Sequence, residues 1–227
     1  MHYIATVDWS RLVISFIVAK SLRMETDHMK TVGLNHGSTR DDVAALREIP
    51  SERIRVLDTE TTGLSARYDE VLQLSIIDGD GAAVMSSYLR PERVRSWPDA
   101  ERVNHISPAM VEGCPTLSEA LPDVQAALDG AQLIIAYNLP FDWPFLRTAG
   151  IQWPQGAMGY DPMFEFAPVA GEWHDYFGDY RWQKLSVAAA HYGYEFPPHD
   201  ALEDTRATLH VFRSLLDDPD YLGLFDS

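Results

Sequence analysis

The sequence predicts an α/β fold: a mixed sheet flanked by helices. Three features carry this. The tight Asp78-Gly79-Asp80-Gly81 between two apolar segments is an antiparallel hairpin signal. Leu133-Ile134-Ile135-Ala136 is a continuous apolar run, as expected of a strand covered on both faces. Three strand signals in a row are followed by helix, strand and helix, an order that layers helices on a sheet.

In order along the chain, the first fifty residues read differently from the rest. The eight-residue apolar run Leu12–Ala19 is expected to be a strand or short helix. It is too short for a membrane span, which needs about 18 residues, and no small-x-small cleavage site follows it. Asn35-His36-Gly37-Ser38-Thr39 reads as a loop, and Asp41–Ile49 as helical, closed by Pro50. From Arg53 the periodicity changes. Ile54–Leu57, Val71–Ile77 and Ala83–Leu89 are strand candidates. Thr116-Leu117-Ser118-Glu119 has capping-box spacing and Gly130 is a stop, so a helix is predicted over 117–129. Helices are predicted at 141–149, 183–192 and 200–217, the first two each followed by a glycine. The organisation expected is an N-terminal extension of unassigned role (1–50), a main domain (51–218) and a short tail (219–227).

The chain has 227 residues, 46% apolar and 23% charged, an ordinary globular composition that excludes wholesale disorder. Its 18 basic and 34 acidic side chains give a net charge of −16. Residues 1–52 carry 6 basic and 7 acidic groups and residues 53–227 carry 12 and 27, so the acidity belongs to the main domain. Such a surface repels polyanions and excludes a broad basic nucleic-acid clamp. Any such contact must be local or mediated by cations. The single cysteine, Cys114, excludes an internal disulfide framework and a Cys-rich zinc site, and suits a reducing cytoplasm.

Three segments carry candidate chemistry. In Val56-Leu57-Asp58-Thr59-Glu60-Thr61-Thr62-Gly63-Leu64 a strand runs into carboxylates spaced i and i+2, which share one face. Two such acids repel unless a proton or a cation lies between them, and a hard divalent ion with oxygen ligands is the natural partner. By spacing alone, a solvated loop start remains the alternative. In Tyr137-Asn138-Leu139-Pro140-Phe141-Asp142, Asp142 falls in the first turn of a helix, where the macrodipole favours a carboxylate for purely structural reasons too. The strand end before it is where open α/β sheets bind ligands. In His199-Asp200-Ala201-Leu202-Glu203-Asp204, Asp200 and Glu203 suit helix capping. Asp204 borders the apolar stripe of Leu202, Leu209, Phe212 and Leu216, a costly place for an unpaired charge. His199 precedes the helix and titrates near neutrality, as a general base should.

Taken together, Asp58-Thr-Glu60-Thr-Thr-Gly, Asn138-x-x-Phe141-Asp142 and His199-x-Ala-Leu-x-Asp204 resemble the DEDDh exonucleases of the DnaQ-like proofreading superfamily, in the right order over roughly residues 53–217. The resemblance implies an RNase H-like fold, a mixed five-stranded sheet with three antiparallel strands and then parallel ones, flanked by helices, and 3′-to-5′ hydrolysis of nucleic acid to nucleoside monophosphates. It further implies two divalent ions, Mg2+ or Mn2+: Asp58, Glu60 and Asp204 would hold one, Asp58 would bridge to a second that contacts the scissile phosphate, Asp142 would assist through water, and His199 would be the base. Thr59, Thr61 and Leu64 would line the terminal-nucleotide pocket with backbone amides and a wedge side chain, and Asn138 and Phe141 are further substrate-binding candidates, with core packing the alternative for Phe141. Asn104-His105-Ile106-Ser107 resembles the family's His-Gly-Ile-Thr segment in altered form, and Tyr137 stands where many relatives have His.

The expected partner is a nucleic-acid 3′ end, with no membrane. Two rival readings stay open: an oligoribonuclease-like RNA trimmer, and an inactive module that binds nucleic acid or a polymerase. Tyr221-Leu222-Gly223-Leu224-Phe225 resembles the apolar peptides that dock on the sliding clamp, without their leading Gln; simple packing of a chain end is the alternative. Arg90, Arg93, Arg95 and Arg102 form the densest basic cluster, and 171–182 is an aromatic loop for which packing is the expected use. His105, His174 and His191 are read as structural or surface residues.

Overall fold

The computed structural model describes residues 30–226, so the Leu12–Ala19 run lies outside the described residues. In chain order the elements are β1 (Lys30–Thr31), α1 (Arg40–Ala44), β2 (Ile54–Thr61), β3 (Val71–Asp78), β4 (Ala83–Tyr88), α2 (Pro98–Asn104), α3 (Pro108–Val111) and α4 (Leu117–Leu128). There follow β5 (Leu133–Ile135), α5 (Leu139–Thr148), β6 (Met158–Tyr160), α6 (Pro162–Ala170), a two-stranded hairpin of β7 (Trp173–His174) and β8 (Asp179–Tyr180), α7 (Leu185–His191), α8 (Ala201–Asp217) and α9 (Pro219–Gly223).

The main sheet has the order β1-β6-β5-β2-β3-β4. β2 pairs antiparallel with β3 and parallel with β5, so the sheet changes character at β2. Six strands stand where five are predicted. The fifth is β6, whose three residues Met-Gly-Tyr are too short to leave a periodic signal. The sixth is β1, from the N-terminal segment, which pairs parallel with β6. The Asp78–Gly81 hairpin forms as expected: the Asp78 carboxylate accepts from the N–H groups of Asp80 and Ala82, and Gly81 adopts φ +86°, where a side chain is disfavoured.

Strand alternation sorts β2 between two helix layers. Val56 joins Ile77, Leu133 and Ile135 under α6, α7 and α8, where Phe166, Ala188, Leu215 and Phe212 pack. Leu57 faces the other way, toward Leu74, Ile134, Val124 and Leu146 beneath α4 and α5. Asp58 and Glu60 continue the Val56 face; Thr59 and Thr61 continue the Leu57 face. Leu57 is fully buried, and truncating it to alanine would cost about 2–5 kcal/mol.

The capping box at Thr116 and Glu119 and the Asp200 cap on α8 both form as predicted. α5 begins at Leu139, two residues before the expected start, because Pro140 fits a first helical turn, where no N–H is needed.

Residues 30–46 pack onto the domain: Val32, Val43 and Leu46 are buried in the first core. The buried Glu165 side chain of α6 accepts from the N–H of Leu34 at 3.0 Å, so close that any side chain at Gly33 would collide with it. The same carboxylate accepts from the Tyr221 hydroxyl at 2.7 Å, and Tyr160 donates to Tyr221 at 2.9 Å. Tyr221 has no exposed surface, and Leu222, Leu224 and Phe225 pack partly on the same core. Tyr221, the leading residue of the clamp-like segment, is therefore packed inside the domain.

Candidate active site

β2 ends where three other elements converge. Asp58 and Glu60 project from its α8 face, opposite Ser75 and Gln73 of β3. The Gln73 amide oxygen accepts from the N–H of Ala201 at 3.4 Å, which ties the start of α8 to the sheet beside Glu60. Asp204 therefore enters from above, 8% exposed. Asp142 reaches the same strand end from the opposite helix layer: its Oδ1 accepts from the Thr59 N–H at 3.0 Å and the Thr59 hydroxyl at 2.7 Å.

The acids crowd one another. Burial, and then the charges of Asp142, Asp204, Glu60 and Asp200, push Asp58 well above the usual carboxylate range. Burial followed by the Asp204 charge pushes Glu60 up to about 8. Burial raises Asp142 to about 7 against the pull of its Thr59 hydrogen bonds, and raises Asp204 to about 6 against the bond from the His199 N–H. No guanidinium or ammonium is among the groups acting most strongly on these four. Such a set is tolerable only when protonated or when a cation neutralises it.

The donor chemistry fits a hard divalent cation. Asp204 Oδ1 is buried with no hydrogen-bond partner, as a ligand atom awaiting a metal would be. One ligand atom each from Glu60, His199 and Asp204 lie within 4.8 Å of one another. His199 has φ +74°, which turns its backbone N–H onto Asp204 Oδ2 at 3.1 Å while its ring stays exposed. Partial burial, and then the charges of His105 and Lys184, lower the pKa of the imidazole below the ordinary 6.5, which favours its neutral form.

The remaining candidates divide. Leu64 is 68% exposed on the loop after β2, free to meet a ligand. Thr59 and Thr61 are buried, and their hydroxyls are engaged with Asp142 and with the Gly63 carbonyl respectively. Phe141 packs against Phe145, with ring centroids 5.4 Å apart, at the edge of the second core. Asn138 starts α5 in a left-handed conformation at φ +76°. Arg90 and Arg93 line a separate cavity of about 290 Å³ with Asp69, Glu70 and Glu92; none of the four site acids lines it. Arg102 pairs with Asp99. Of the 171–182 aromatics, Trp182 packs edge-on against Phe164 of α6 as expected, whereas Trp173 and Tyr176 of the β7–β8 hairpin are 53% and 86% exposed.

Three supporting residues escaped the sequence reading. Asn104 is buried; its amide donates to the Thr61 carbonyl at 3.2 Å, accepts from the Ile106 N–H at 3.1 Å and lowers the pKa of Glu60 by hydrogen bonding. Gln73 and Asp161 likewise act through backbone groups. Only the Asn104-His105-Ile106 segment carried a motif signal, and that pointed to no role. His105 is exposed, as expected, but its charge reaches His199.

Comparison with known proteins matches residues 56–212 to the family RNase_T, described as exonuclease. The DNA polymerase III PolC-type of Thermotoga maritima is 30% identical over 166 residues, covering 69% of this chain and 11% of that protein. Exodeoxyribonuclease 10 of Escherichia coli K12 is 32% identical over 100 residues, 44% of this chain and 43% of the relative. The chain thus spans about a tenth of the PolC-type relatives it matches. In fold it is similar to Escherichia coli exonuclease I in complex with a dA16 oligonucleotide (TM-score 0.62, 17% identity, 76% of this chain and 42% of that one). It is also similar to exonuclease X in complex with 5′ overhanging duplex DNA (TM-score 0.53, 23% identity, 74% of this chain and 93% of that one). Among the described residues no helix is long and apolar enough to cross a membrane.

Proposed function

The chain belongs to the RNase_T exonuclease family, and from that premise we propose that it is a cytoplasmic 3′-to-5′ exodeoxyribonuclease releasing nucleoside 5′-monophosphates from single-stranded or frayed ends. The observation that carries this reading is the convergence of Asp58, Glu60, Asp142 and Asp204 at one strand end with Asp204 Oδ1 unpartnered. An inactive binding module has no need of four mutually repelling buried acids. DNA is favoured over RNA by the named substrates of the similar proteins, an exodeoxyribonuclease and DNA polymerases. The PolC-type matches support a setting beside a DNA polymerase.

Asp58, Glu60 and Asp204 would hold divalent ions, Mg2+ or Mn2+, with Asp142 assisting through water. When bound, two such ions supply Lewis acidity, an activated water and charge stabilisation on the leaving oxygen. The chain's own residues do the rest. His199, whose neutral form is favoured by its lowered pKa, would take the proton of the attacking water on a ring nitrogen. Thr59 fixes Asp142, and the His199 N–H orients the Asp204 carboxylate. Leu64, exposed on the loop after β2, would be the wedge against the terminal base. The cations also allow a protein of charge −16 to approach a polyanion at one point without a basic surface.

Digestion of matched oligonucleotides tests the reading. DNA labelled at its 5′ end should shorten stepwise in Mg2+ and stay intact with a chelator or a blocked 3′ hydroxyl. Digestion from the 5′ end, or metal-free cleavage, would overturn it. Faster trimming of short RNA than of matched DNA would reassign the substrate.

A further inference from the structure

We infer that Asp161 is a positioning residue for the acid pocket: its buried carboxylate bridges from the end of β6 to the first N–H groups of α5 and thereby sets where Asp142 stands. The inference rests on the exonuclease reading above and adds a residue from outside the three motifs.

Asp161 is 4% exposed. Its Oδ1 accepts from the Asn138 N–H at 2.9 Å and its Oδ2 from the Leu139 N–H at 2.8 Å. Oδ1 also accepts from the Met163 N–H at 3.0 Å, the cap of its own helix α6. One carboxylate therefore caps two helices. The first N–H groups of a helix normally find a partner in the residue that precedes it. At α5 that residue, Asn138, makes no side-chain cap, and its backbone is left-handed, a conformation that L-residues disfavour. The partner comes from another element, 22 residues along the chain from Leu139.

Asp142 lies in the first turn of α5, three residues after Leu139, so the entry angle of this helix fixes its carboxylate. Loss of the bridge frees Asn138 to relax from φ +76° and lets the first turn fray. The Asp142–Thr59 contacts at 3.0 and 2.7 Å then lose one of their two anchors. Asp161 touches no reacting atom; it acts through the backbone of Asn138 and Leu139.

The test uses Asp161→Ser in the full chain. Serine is a competent cap for α6 through the Met163 N–H but is too short to reach α5. Direct Mn2+ binding is measured by calorimetry, with kcat and KM on a single-stranded oligonucleotide. Supports around metal ligands typically contribute 10–100-fold. We expect cooperative melting, Mn2+ binding weakened about 10-fold, and a fall in kcat larger than the change in KM. In an Asp142→Asn background, Asp161→Ser should weaken Mn2+ binding no further, because both act through one side chain.

A cooperatively folded Asp161→Ser protein with wild-type Mn2+ affinity and kcat would overturn the inference, as would additive losses in the double variant. Should Asp161→Ser not fold, Asp161→Asn decides by the same readouts: it keeps Oδ1 for Asn138 and Met163 but sets an amide against the Leu139 N–H. Failure of both to fold would assign Asp161 to the fold alone and overturn the proposal. A wild type that neither binds Mn2+ nor degrades DNA sinks the exonuclease reading instead, a result distinct from a normal wild type with unaffected variants.

Discussion

Asp204→Asn should stabilise the metal-free protein at pH 8 while abolishing its activity. Asp204 is 8% exposed, and burial lifts its pKa from 3.8 to about 6, so holding it ionised in the fold costs up to about 3 kcal/mol relative to a neutral side chain. The sign follows from linkage. A folded pKa above the unfolded one contributes stability that is complete below about pH 3.8 and is lost as pH rises through about 6. An asparagine has no charge to lose, and its amide oxygen can still accept from the His199 N–H. The two proteins should therefore melt alike near pH 3.5 in EDTA. The variant should melt higher at pH 8, by roughly 6–12 °C for a domain of this size if the full cost is relieved. Calorimetry at both pH values reads the difference. Excess Mg2+ should stabilise the wild type at pH 8, by about 2.7 kcal/mol at one hundred times Kd, and leave the variant's midpoint unmoved. Equal destabilisation of Asp204→Asn at both pH values would refute the claim that crowded charge, relieved by a cation, defines the pocket.

His199→Ala should keep its fold and lose about 10²–10⁴ in kcat; because burial holds His199 below pH 6.5, the wild-type acid limb lies below that value and should vanish in the variant. A pH–rate profile with its acid limb intact would exclude His199 as the base. Thr59→Val deletes the hydroxyl donor to Asp142 at little change in volume, costing about 1–3 kcal/mol in denaturant titration with Mg2+ bound and weakening the metal response. Tyr221→Phe removes the donor to Glu165 and the acceptor for Tyr160, and should lose about 1–3 kcal/mol in urea without altering kcat; a change confined to turnover would contradict a purely architectural tail.

The strands around β2 and the helices with strong end signals are legible because local chemistry decides them: the Asp78–Gly81 hairpin, the Thr116/Glu119 box and the Asp200 cap each form within a few residues of chain. The short elements are not. β6, at three residues, and β1, at two, exist because neighbouring strands offer them hydrogen-bond partners, and no window of sequence contains that information. The tail shows the same limit, since Tyr221 pairs with Glu165 across 56 residues.

The acids themselves could be picked out one by one, because a carboxylate at a strand end or on an apolar helix face is conspicuous wherever it stands. That Asp58 and Glu60 share a face follows from strand geometry alone. That Asp142 arrives from the opposite layer, hung on Thr59, and that Asp204 is lowered over Glu60 by a Gln73–Ala201 contact, only the packed sheet decides. Thr59 also anchors Asp142, and Asp161 bridges two helices, and neither of those contacts is visible in the sequence. Hydrogen bonds of that kind join backbone to side chain across distant elements, and their partners become neighbours only when apolar burial has brought the layers together.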